Sequence, residues 1–79
     1  MQYKTSDIVL AACLKINSYE LDTITVETNG KGTFVFNNVS DDFLQNFDFG
    51  KILVEPITFN NTIKQLTTSV RRLNKSSTE

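Results

Sequence analysis

The 79-residue chain has no histidine, a single cysteine, one proline, three glycines and no long apolar run. Each shortage excludes something. Acid–base catalysis at neutral pH leans on histidine, or on a carboxylate moved far from its ordinary pKa. The adjacent Asp41 and Asp42 follow Ser40, where they read as first-turn residues of a helix rather than a catalytic pair, because helical neighbours diverge by about 100°. With Cys13 alone, no intrachain disulfide can form and a zinc site of Cys/His type cannot be assembled. Nor does Cys13 have a histidine to activate it as a nucleophile, so within Ala11-Ala12-Cys13-Leu14 it reads as a small apolar residue. Gly30 and Gly32 belong to a turn and not to a phosphate-cradling loop, and Asp41, Asp42 and Asp48 lack the alternation of a calcium loop. The expectation is a protein that is not an enzyme, with no catalytic residue, cofactor or metal. No stretch approaches the roughly 18 apolar residues of a membrane span, and Ile8 to Leu14 lacks the flanks of a signal peptide. A cytoplasmic location follows as an expectation.

Length leaves room for one core. A chain this short is marginal, and without disulfides or metal the remaining aid is self-association, so a homo-oligomer stays open. An apolar content of 39% with six phenylalanines is enough for a globular domain. Residues 1–74 are expected to form it, leaving 75–79 as a disordered tail. The formal charge of −1 argues against a surface that grips nucleic acid everywhere. The charges are nevertheless segregated. Acidic residues dominate up to Pro56, whereas beyond it Lys64, Arg71, Arg72 and Lys75 face only Glu79.

Along the chain, a helix is expected from about Ser6 to Lys15, capped by Thr5 or Ser6 with Asp7 in its first turn, and with Ile8, Ala11, Ala12 and Ile16 at near-helical spacing. From Asn17 to Thr28 the period becomes two. Tyr19 and Leu21 share one phase while Ile24 and Val26 take the other, which calls for a bulge near Asp22 and Thr23. Asn29-Gly30-Lys31-Gly32 supplies a tight turn, and Thr33 to Phe36 returns as a second strand. Ser40 starts a two-turn helix with Phe43, Leu44 and Phe47 as its buried stripe and Gly50 as its stop. Ile52-Leu53-Val54 reads as a third, short strand. Glu55-Pro56 then opens the last helix, to about Asn74, on which Phe59, Ile63, Leu66, Val70 and Leu73 make an apolar seam. The fold class is α+β: a three-stranded sheet packed by three helices, in the order α-β-β-α-β-α.

Away from that seam, Lys64, Arg71 and Lys75 form a basic stripe with Arg72 at its flank. Such a stripe can meet phosphates or an acidic protein surface, or be a solvated face whose cations complement the helix dipole. Phe34 and Phe36 alternate as base-stacking residues would, but their strand carries no basic residue and they read better as core.

Lys4-Thr5-Ser6-Asp7 with Leu10-Ala11-Ala12, then Phe34-Val35-Phe36, then Val54-Glu55-Pro56 with Phe59 and Leu66, resembles a family of small domains encoded by phages, prophages and some archaea, domain of unknown function 5659. The resemblance spans roughly Tyr3 to Leu73. Glu55 stands where that family usually has Asp, and Asn17 or Ser18 where it has glycine. The resemblance implies a mobile-element setting and no transferable activity. The expected function is an accessory binding module that contacts a protein of the host or viral machinery; the alternatives are a nucleic-acid-binding domain using Lys64, Arg71, Arg72 and Lys75, or a structural, oligomeric component.

Overall fold

The computed structural model describes residues 2–77, with side chains described through Asn74. Its elements are β1 (Gln2–Thr5), α1 (Ile8–Ile16), β2 (Leu21–Val26), β3 (Gly32–Asn37), α2 (Asp41–Asp48) and α3 (Pro56–Ser77). One antiparallel sheet has the order β1-β3-β2, so the α+β class with three strands and three helices holds. The source of the third strand does not. It is the N-terminal Gln2–Thr5, paired with β3 in the register Tyr3 to Phe36 and Thr5 to Phe34, and residues 51–55 join no strand. The element order is therefore β-α-β-β-α-α. A four-residue strand with one inward aromatic carries almost no local signal, because its identity comes from a partner some 30 residues away.

The bulge expected in the hairpin is present. Leu21 lies opposite Phe36 and Thr23 opposite Val35, leaving Asp22 as the extra residue. Without it, Leu21 and Ile24 would point to opposite faces; with it, both join Phe34 and Phe36 on the inner face. Gly30 closes the turn at φ +86°, and Asn29 Oδ1 accepts from the Lys31 N–H at 2.9 Å. Gly32 is required for a different reason. A Cβ there would lie 2.7 and 3.1 Å from the two γ-carbons of Val70, so α3 passes directly over the start of β3.

The core is Leu10, Ala11, Ala12, Leu14, Phe34, Phe36 and Leu66. Five consecutive residues of α1, Leu10 to Leu14, are buried, so its central turn is covered on all sides and not along one stripe, while Val9 at its start and Lys15 at its end stay exposed. Its N-cap is Asp7, whose carboxylate accepts from the Val9 N–H at 2.9 Å and the Leu10 N–H at 3.4 Å. Thr5 and Ser6 do not cap the helix; Thr5 Oγ1 instead accepts from the Asp7 N–H, one step upstream.

Both short helices end in the same way. The Tyr19 N–H donates to the Leu14 carbonyl and Ser18 N–H to Lys15; in α2 the Lys51 N–H donates to Asn46 and Gly50 N–H to Phe47. These are Schellman closures, which need a left-handed residue. Gly50 supplies it at φ +70° and Ser18 at +69°. The first carries no side-chain penalty; the second does.

Along α3 the seam of Phe59, Ile63, Leu66 and Val70 packs on the core, with Thr62 buried beside it and donating its hydroxyl to the Thr58 carbonyl. Leu73 leaves the seam at 42% exposure. The backbone of α3 is helical to Ser77, so of the expected tail 75–79 the first three residues continue the helix; Thr78 and Glu79 lie outside the described residues.

Candidate functional site

Two surfaces carry features that the fold leaves unused. The first is the connection from α2 to α3. After α2 ends at Asp48, the chain runs through residues 51–55 with no ladder partner, and Glu55 then caps α3. Exposure alternates along it: Ile52 and Val54 are half-buried, whereas Leu53 is 92% exposed. Phe49 (71%) and Ile57 (69%) are also open to solvent. Three large apolar side chains within nine residues are thus uncovered, with the Lys51 ammonium 5.9 Å from the centre of the Phe49 ring. Among the described residues, the N–H groups of Ile52, Leu53 and Val54 donate to no backbone carbonyl.

This connection is anchored firmly at both ends. Upstream is the Gly50 closure. Downstream, the Glu55 carboxylate accepts from the Ile57 and Thr58 N–H groups and the Thr58 hydroxyl, each at 2.8 Å. Those bonds, the Ile57 N–H first, hold its carboxyl below its ordinary pKa. Pro56 occupies the first helical position, where no N–H is needed. The sequence assigned Ile52-Leu53-Val54 to a third strand, whereas residues 51–55 form no strand. Their exposure depends on which strand occupies the sheet edge, a non-local outcome.

The second surface is the exposed side of α3. The expected basic stripe is divided by its neighbours. Lys64 and Arg72 line a groove of about 450 Å³ together with Lys15 from the last turn of α1, and with Gln65, Thr68 and Ser69. Arg71 lines a separate hollow of about 190 Å³ above the hairpin, with Lys31, Gly32, Phe34, Ile8 and Val70. Lys64 and Arg71 share an angular position, but seven residues of helix, about 10 Å, separate them along the axis. The side chain of Lys75 lies outside the described residues. Sequence reasoning missed Lys15, since only the packing of α1 on α3 brings it to the groove.

The residues with chemical potential elsewhere are quiet. Cys13 is buried, and burial, followed by the charge of Asp7, pushes its thiol above its ordinary pKa, the opposite of what a nucleophile needs. Asp41 and Asp42 occupy the first turn of α2 behind Ser40, whose hydroxyl accepts from the Phe43 N–H at 3.4 Å. Among the described residues, no group of three or more Cys, Asp or Glu side chains is placed to hold a metal ion, and no helix is long and apolar enough to cross a membrane. Comparison of the chain with protein-family models, curated proteins and solved structures finds no match.

Proposed function

We propose that this chain is a non-catalytic binding module whose contact with a protein partner runs through the α2–α3 connection. The observation that carries the reading is the exposure of Leu53, flanked by Phe49 and Ile57, on a segment pinned at both ends. Scattered apolar residues are normal on a surface, but a cluster on an ordered connection marks an interaction site. Exposure alternates from Ile52 to Val54, and among the described residues their N–H groups donate to no backbone carbonyl. A partner strand can add to it, with backbone hydrogen bonds giving affinity and alternate side chains giving selectivity. The resemblance of Lys4 to Ala12, Phe34 to Phe36 and Val54 to Leu66 to a phage and prophage domain supports a partner in host or viral machinery.

A photo-crosslinking amino acid at position 53, with position 27 as the control, tests the reading in cells that carry the native partner. The expected result is a discrete adduct from 53 only. An adduct of twice the chain mass would replace the partner by a second copy. Equal, diffuse labelling from both positions would contradict a dedicated contact.

A further inference from the structure

The groove between α1 and α3 has a lining of one chemical kind. Lys15, Lys64 and Arg72 bring three cations, and Gln65, Thr68 and Ser69 bring neutral side chains able to donate a hydrogen bond; among the described residues no carboxylate lines it. Lys64, Thr68 and Arg72 follow one another at intervals of four, so they form one inclined row on α3, with Lys64 and Arg72 about 12 Å apart along the axis and turned about 80° from each other. Side chains radiate from a helix axis, so the charged heads stand further apart than the backbone positions that carry them. A single tetrahedral anion is too short to meet both ends of that row. A row of anions is not. The hydroxyl of Thr68 stands midway, where a phosphate between the two cations would need a neutral donor.

We propose that this groove is a binding site for a run of two or three phosphates, carried either by a free oligophosphate or by the backbone of a nucleic-acid strand. The proposal is independent of the protein contact at the α2–α3 connection, and Leu53→Asp leaves it unchanged. It also alters the residue set that the sequence points to. Lys15 belongs to the site and Arg71, which lines the other hollow, does not.

The test uses the full chain and two probes, a fluorescent oligothymidylate and inorganic tripolyphosphate, at low and moderate salt. The variants Lys64→Glu and Arg71→Glu make the same change of charge on exposed positions of the same helix, with far-UV circular dichroism and a melt to check the fold. Binding of at least one probe is expected. Lys64→Glu and Lys15→Glu each weaken it roughly tenfold or more, while Arg71→Glu costs less than about threefold. For the oligonucleotide, log K falls with log salt at a slope of about −1.4 to −2.1, the value for two or three phosphates on a single strand. Tripolyphosphate displacing the oligonucleotide identifies the shared phosphate chemistry, whereas tripolyphosphate binding alone identifies a free oligophosphate as the source. No binding of either probe at low salt overturns the proposal. Equal losses from Lys64→Glu and Arg71→Glu do so as well, because they would show a diffuse field instead of a groove.

Discussion

Two nine-residue stretches, Ile8–Ile16 and residues 49–57, are both rich in large apolar side chains, yet the first holds five consecutive buried residues and the second none, with Phe49, Leu53 and Ile57 open to solvent. Hydrophobicity alone does not separate them. The first packs against both the sheet and α3, so even its consecutive residues Leu10 to Leu14 lose contact with water. The second follows α2, a helix with no fully buried residue, and meets no strand edge. Burial is conferred by the layers that happen to lie on either side. Under the proposed function, the ordered but uncovered apolar residues of the connection are the ones that meet another molecule.

The largest expected effect falls on the covered side. Phe36→Ala and Leu14→Ala each remove a fully buried side chain and should cost about 3–5 kcal/mol, whereas Leu53→Ala should change stability by less than about 0.5 kcal/mol. A chain of this size has a total stability of roughly 4–12 kcal/mol, so the core variants should be largely unfolded at modest urea concentrations while Leu53→Ala melts with the parent. A loss above about 2 kcal/mol for Leu53→Ala would break the contrast. Gly32→Ala comes next. The added methyl meets both γ-carbons of Val70, and rotating one valine cannot clear both, so a loss of about 1–3 kcal/mol is expected from the same urea melts.

The two helix closures sharpen the comparison at smaller scale. Ser18 holds a left-handed conformation that Gly50 adopts freely, so Ser18→Gly should raise stability by up to about 1 kcal/mol, and Gly50→Ala should lower it by a similar amount. A destabilised Ser18→Gly variant would show that its hydroxyl matters more than its backbone. The smallest effect is at the downstream anchor. Because the folded state lowers the Glu55 pKa, its contribution is present above the unfolded value of about 4.3 and fades as pH falls through the lowered folded value. The Tm difference between the parent and Glu55→Gln should therefore be greatest near neutrality and shrink as the pH falls through the lowered folded value. A gap that persists in acid would assign the effect to something other than the carboxylate.

Much of this arrangement was legible in the sequence where its cause is local. The phase change between Leu21 and Ile24 revealed the bulge, Asn29 to Gly32 the turn, and Ser40 and Glu55-Pro56 the two helix starts. What was hidden depends on distant partners. Gln2–Thr5 becomes a strand only by pairing with β3, residues 52–54 fail to become one because nothing pairs with them, and Lys15 reaches the basic groove only because α1 packs on α3. The cap of α1 was misplaced by one residue because Thr5, Ser6 and Asp7 can all serve, and Asp7 alone aims its carboxylate at both the Val9 and Leu10 N–H groups.

Amide hydrogen exchange on the free chain tests the central contrast most directly. The amides of Leu14 and Phe36 should be among the slowest, exchanging only with global unfolding, while those of Ile52, Leu53 and Val54 exchange near the rate of an unstructured peptide. Protection of residues 52–54 comparable to that of β3 in the isolated monomer would mean that the connection is already covered, and would contradict its proposed role as a contact surface.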